Sequence, residues 1–162
     1  MNAHQLTVAL LGLSLLAGCT TEENPATKSF LKGSSCLRQR DFDAAIAAFT
    51  EGIRINPRIA KLYYNRGVAY HRKGNLDKAI ADYSEAIRLN ARQAEAYCNR
   101  GVAQGEKGNL DKAIADCTEA IQINSEFAEA YFNRGFAYEK KGAKDLARDD
   151  FSKAKKLGYA RD

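Results

Sequence analysis

The chain is short of almost everything that would mark an enzyme. Its 162 residues contain only two histidines, His4 and His71. No GxxxxGK[ST], HExxH or CxxC stretch occurs, so phosphate-cradling, zincin and paired-thiol chemistry have no sequence support. Four cysteines are too few for a disulfide scaffold at this length. Two prolines and 12 glycines exclude collagen-like and low-complexity sequence. No apolar run approaches the ~20 residues that a membrane-spanning helix needs. The one apolar stretch, Leu6 to Gly18, carries no charge and suits the core of a signal peptide. What remains is ordinary for a folded protein: 45% hydrophobic, 28% charged, net charge +5. No catalytic constellation, cofactor or metal site is expected.

Self-comparison is far more informative. Lys73–Asp82 and Lys107–Asp116 both read KGNLDKAIAD. Asn-Arg-Gly occurs at 65–67, 99–101 and 133–135. Both spacings are 34, and the frame divides the chain into units 26–59, 60–93, 94–127 and 128–161. Each unit reads as two helices. Gly74, Gly108 and Gly142 suit left-handed ends of the first. Asp77 and Asp111 complement the start of the second. Asn56, Asn90, Asn124 and Gly158 are expected to end the second helices in the left-handed conformation. Asn24-Pro25 reads as an N-cap and first helical residue.

Gly33, Gly67, Gly101 and Gly135 recur inside the first helices, where Gly costs about 1 kcal/mol relative to Ala. That expense predicts a helix approaching too closely for a side chain. Ala45, Ala79, Ala113 and Ala147 supply small residues on the second helices. Phe49, Tyr83, Cys117 and Phe151 supply one larger core residue each.

These residues resemble the tetratricopeptide repeat (TPR), above all Tyr63, Gly67, Tyr70, Ala79, Tyr83 and Ala86 in the second unit. The first unit departs most, with Ser29, Cys36 and Gly52 at three of those places. The resemblance implies an all-α, right-handed solenoid of four helix-turn-helix repeats, about eight antiparallel helices, with the first helices lining a concave groove. It places Asn65, Asn99 and Asn133 on that face, one per unit. An amide donates and accepts, so the row could pair with the backbone of an extended peptide. The alternative for the row is hydrogen bonding between helices or within a turn. Around it the resemblance places Lys61, Tyr64, Val68, Arg72, Glu95, Cys98, Val102, Glu129, Phe132 and Phe136, a mixture suited to a peptide or partner helix. The carboxylate clamp of some TPR domains is not expected, because Tyr64, Cys98, Phe132, Val68, Val102 and Phe136 occupy sites that two of its polar residues would need.

Arg66, Arg100 and Arg134 recur together with Asp82, Asp116 and Asp150, and the first unit lacks both partners. Ion pairs inside the solenoid are expected. His71 reads as a surface residue, and Cys36, Cys98 and Cys117 as core. In the last unit, Arg148, Lys155 and Lys144 replace Ile, Ile and Leu or Phe of the others. A terminal face must meet water, so the array is expected to cap itself there and to be monomeric.

At the N-terminus, Leu16-Ala17-Gly18-Cys19 resembles the bacterial lipoprotein signal. The resemblance implies removal of residues 1–18 and lipidation of Cys19, with 19–25 as a short tether. Thr20 in place of Asp favours the outer membrane facing the periplasm. The units carry +3, +4, −3 and +4. This alternation makes nucleic acid an unsuitable partner. The expected function is a membrane-anchored adaptor or assembly factor of the cell envelope, binding a protein or peptide in the groove. A self-associating scaffold is the alternative.

Overall fold

The computed structural model describes residues 24–159. Cys19, the apolar run and the tether to Glu23 lie outside the described residues. Eight helices follow in order: α1 Pro25–Arg38, α2 Phe42–Ile55, α3 Ala60–Arg72, α4 Leu76–Leu89, α5 Ala94–Glu106, α6 Leu110–Ile123, α7 Ala128–Lys140 and α8 Lys144–Lys156. Each odd helix packs against the even helix after it, and each even helix packs on the next odd one. Odd helices also touch their odd neighbours, which leaves their outer sides as one continuous face. None of the described helices is long and apolar enough to cross a membrane.

Helix starts and stops follow local chemistry. Asn24 Oδ1 accepts from the Ala26 N–H at 3.0 Å, with Pro25 at the first helical position. Asp41 and Asn75 cap α2 and α4 in the same manner. The first helices of the last three units end at Gly74, Gly108 and Gly142, with φ of 76°, 83° and 78°. The first unit places Arg40 there at φ 61°, a conformation that costs an L residue roughly 1–2 kcal/mol.

The second helices end differently from expectation. Gly158 is left-handed at φ 86°, but Asn56, Asn90 and Asn124 are extended, near −140°. Their side chains explain it. Each Oδ1 accepts the backbone N–H two residues on, at Arg58, Arg92 and Glu126. Asn here builds an Asx turn instead of a left-handed cap.

The glycine expectation holds. A Cβ on Gly33 would stand 2.5 Å from the Phe49 ring, and on Gly67 2.9 Å from Tyr83. At Gly101 it would meet the Ala113 carbonyl and Cys117 Sγ, both at 3.1 Å. The core thus repeats one contact, an odd-helix glycine on the large residue of its partner helix. Ring pairs extend it as Phe30–Phe49, Tyr64–Tyr83 and Phe132–Phe151, at 6.2, 6.0 and 5.5 Å. In the third unit the pair is Cys98 and Cys117, both buried free thiols. Its hydrogen bond to Cys98, in which the protonated thiol donates, and burial push the Cys117 thiol up.

Two ionic systems tie the units together. Arg66, Arg100 and Arg134 each make two hydrogen bonds to Asp82, Asp116 and Asp150 across the same unit. Their remaining nitrogens reach back to Thr50, Ser84 and Thr118 of the preceding unit. The expected bridges are present, and they clamp neighbours as well. A second ladder joins Lys73 to Asp43, Lys107 to Asp77 and Lys141 to Asp111.

Candidate functional site

Because the odd helices repeat in register, their 34-residue period stacks like positions into rows across the concave face. One edge row is Lys61, Glu95 and Glu129, all exposed. The floor rows are Tyr64, Cys98, Phe132, and Val68, Val102, Phe136. The far edge is Arg72, Glu106 and Lys140, all exposed.

The Asn row is internally bonded. Asn65 Nδ2 donates to the Lys61 carbonyl of its own helix at 2.7 Å. Asn99 Nδ2 donates to Tyr64 Oη at 3.0 Å, and Asn133 Nδ2 to Cys98 Sγ at 3.3 Å. The latter two bonds join α5 to α3 and α7 to α5. They give helix-to-helix bonding, the alternative use of this row, and they engage one of the two N–H donors of each amide. Asn65 does not join its neighbours.

Phe132 is partly covered. Tyr159 stacks on it with centroids 4.7 Å apart, and Phe151 packs on another side. Tyr159 follows α8 at the end of the described array. Arg148, Lys155 and Lys144 are exposed there, whereas the apolar residues they replace are half-buried. His71 is no plain surface residue. It is half-buried and its Nε2 lies 3.0 Å from Glu106 Oε2, linking α3 to α5.

Tyr64 shows how the acidic edge acts on the groove. Burial and the Glu95 carboxylate push its hydroxyl above the ordinary value; Asn99 opposes them, and Glu129 adds to the rise. Both carboxylates therefore act on one part of the face. On the far edge, the Lys140 ammonium lies 4.8 Å from the Phe136 ring centroid.

Between α5 and α7 the floor opens into a cavity of about 240 Å³. Val102, Phe136, Ala137 and Leu110 make it apolar, and Glu106 and Lys140 stand at its rim. Phe136 is 41% exposed. The cavity also reaches Phe132 and Asn133, so Val102, Phe132, Asn133 and Phe136 are brought together. Lys61 and Asn65 stay remote from it. Sequence reasoning missed Gly105, Glu106 and Lys140. The signal was available: Gly105 stands where the other units carry Leu37, His71 and Glu139, and Glu106 and Lys140 lie one and two periods beyond Arg72. Among the described residues, no group of three or more His, Cys, Asp or Glu could hold a metal ion.

Models of the tetratricopeptide repeat match residues 30–94, 94–127 and 128–157. Among solved structures, the protein MamA superposes with a TM-score of 0.79 at 29% identity, covering 84% of this chain and 80% of that one. The first TPR domain of Spaghetti (RPAP3), solved with the HSP90 peptide SRMEEVD, gives 0.72 at 26% identity, over 77% and 99%. YrrB, a TPR protein described as having an unusual peptide-binding site, gives 0.74 at 21% identity, over 85% and 71%, a likeness of fold.

Proposed function

The chain belongs to the tetratricopeptide repeat family, and from that premise we propose that it is a peptide-binding adaptor whose ligand lies in the concave groove. The observation that carries this reading is the apolar cavity between α5 and α7, opening beside an exposed Phe136. A folded monomer gains by burying such a surface, and a partner side chain can do so. The RPAP3 domain supports the mode of binding, since its structure contains a short peptide. Its peptide does not transfer. SRMEEVD is acidic, and Glu95 and Glu129 on the groove edge would repel it.

The finer proposal is that Cys19 carries lipid, holding the adaptor on the periplasmic side of the outer membrane as an assembly factor of a bacterial envelope. Two or more acyl chains anchor far better than one, at about 0.8 kcal/mol per buried methylene. The short stretch from Thr20 to Asn24 would then keep the groove near the bilayer.

Photocrosslinking in cells tests both parts. Probes at Phe136 and Glu95 are expected to trap a partner in the membrane fraction, whereas a probe at exposed Glu119 on α6 traps none. Cys19→Ser should move the same adduct to the soluble fraction. Equal trapping from Glu119 removes the groove, and an adduct that stays in the membrane fraction despite Cys19→Ser removes the anchor.

A further inference from the structure

The glycines of the odd helices differ in what holds them there. Gly33, Gly67, Gly101 and Gly135 lie where a Cβ would collide with a ring or press on a carbonyl. Gly105 has no such reason. A Cβ on it would meet only the Ala113 Cβ, at an ordinary 3.6 Å. Gly105 is the second-last residue of α5, and packing here would accept a larger residue. Its consequence is the cavity. The equivalent side chains are Leu37, packed into the first core, and His71, bonded to Glu106. In the third unit that place is empty of side chain, and the floor opens against Phe136 and Ala137.

The size and lining suit one bulky apolar side chain, not a helix. Charge selects what flanks it. Glu95 and Glu129 are exposed on the first turns of α5 and α7. Neither enters an ion pair among the described residues. Glu95 belongs to the one net-acidic unit of the array, and Glu129 stands at the start of the unit after it. The chain's own N-terminal tether is a poor occupant, because Glu22 and Glu23 are its only charged side chains.

We infer that the cavity at Gly105 anchors one aromatic or large aliphatic side chain of an extended partner segment, whose basic residue lies over Glu95 and Glu129. This rests on the groove reading above and deepens it. Glu95 and Gly105 are ten residues apart on one helix, about 15 Å. An extended segment spans that in about five residues. The recognised pattern is therefore an apolar anchor with Lys or Arg about five positions away.

The test is a titration of the 15N-labelled full chain with a capped Ser/Gly peptide carrying Phe and, about five residues on, Arg. Amide shifts are expected at Val102, Gly105, Phe136 and Ala137. Replacing the peptide's Phe by Ser should weaken binding about tenfold or more. Gly105→Leu fills the cavity and should have the same effect with its melting temperature unchanged or raised. Gly105→Ala, which leaves most of the cavity, should bind within about twofold of wild type. Glu95→Lys with Glu129→Lys should reverse the preference, so that a peptide with Glu in place of Arg binds better. Shifts at Val68 and Asn99 with undiminished binding by Gly105→Leu would overturn the anchor and leave the groove reading standing. An Arg-to-Glu peptide that binds equally well to wild type would overturn the basic preference. A peptide that shifts no odd-helix amide overturns the anchor and the groove reading together.

Discussion

The second and third units contain the same ten residues, KGNLDKAIAD, at 73–82 and 107–116. They share the Arg–Asp clamp, with Arg66 on Asp82 and Thr50, and Arg100 on Asp116 and Ser84. Their odd helices differ at six places: Lys61 against Glu95, Leu62 against Ala96, Tyr64 against Cys98, Tyr70 against Gln104, His71 against Gly105, and Arg72 against Glu106. Leu62, Ala96 and Gln104 are buried inside the solenoid. The other four pairs stand on the concave side. Between these two units the clamp is kept, and most of the change falls on the face where a ligand would be chosen. Even the shared decapeptide responds to its setting. Asn75 caps α4 through its Oδ1. Asn109 makes no side-chain cap and instead donates to Gln104 Oε1 at 2.9 Å, because Gln104 stands where the second unit has Tyr70.

The sharpest way to break this comparison is to reverse one charge in each class. Arg100 and Asp116 are 22% and 11% exposed and bonded twice, at 2.9 and 2.7 Å. Taking one partner from a buried pair strands the other charge. Asp116→Lys is expected to cost about 3 kcal/mol, read as a lower urea midpoint at unchanged slope. Glu95→Lys, on the exposed edge, should stay within about 0.5 kcal/mol. Equal midpoints would mean that the clamp is no more structural than the groove edge.

The same division sets what could be read from residues alone. The period placed the eight described helices, the Gly turns and the Arg–Asp clamps, because each needs particular residue types at fixed offsets. The Lys–Asp ladder escaped, since Asp43 and Lys73 are 30 residues apart and belong to different units. The Asn row was placed on the right helices. Its use turned on whatever stood one helix away, a Tyr64 hydroxyl or a Cys98 sulfur. The extended Asn56, Asn90 and Asn124 were missed because Asn serves two turn geometries and residue type does not choose between them. The cavity was hardest to foresee. It arises where a side chain is missing, and one glycine among 12 carries little signal until its neighbours are known.

The first junction offers a milder test. Gly52 stands where the later units carry Ala86, Ala120 and Ala154, and Leu62 stands where they carry Ala96 and Ala130. A Cβ on Gly52 would lie 2.8 Å from Leu62 Cδ2. The two departures therefore compensate, and this difference between units belongs to the scaffold. Gly52→Ala should cost about 1–3 kcal/mol through overpacking. In a Leu62→Ala background the same change should cost nothing, since it recreates the Ala–Ala contact of the later junctions. Unfolding of the four proteins in a double-mutant cycle measures the coupling. Additive effects would place Gly52 outside the contact.

The smallest effect concerns a residue that differs between units without facing the groove. Tyr83 is fully buried, and its Oη has no hydrogen-bond partner among the described residues. Phe49 and Phe151 hold the same place with no hydroxyl to satisfy. Tyr83→Phe should therefore stabilise the fold by about 1 kcal/mol near neutral pH. The pH dependence checks the cause. Burial, with help from Tyr64, pushes the Tyr83 hydroxyl above its ordinary value of 10.0. Below about pH 10 both folded and unfolded chains keep the proton, and the gap between Tyr83→Phe and wild type stays constant. Above it the unfolded chain ionises first, so wild-type stability falls as pH rises while this contribution is absent from the variant. Denaturant unfolding at about pH 8 and about pH 10.5 should show the gap widening. A gap that stays flat would mean the hydroxyl ionises as readily in the fold as in the open chain. Tyr83 would then reach water through the groove floor, and the third unit's opening would extend beneath the second.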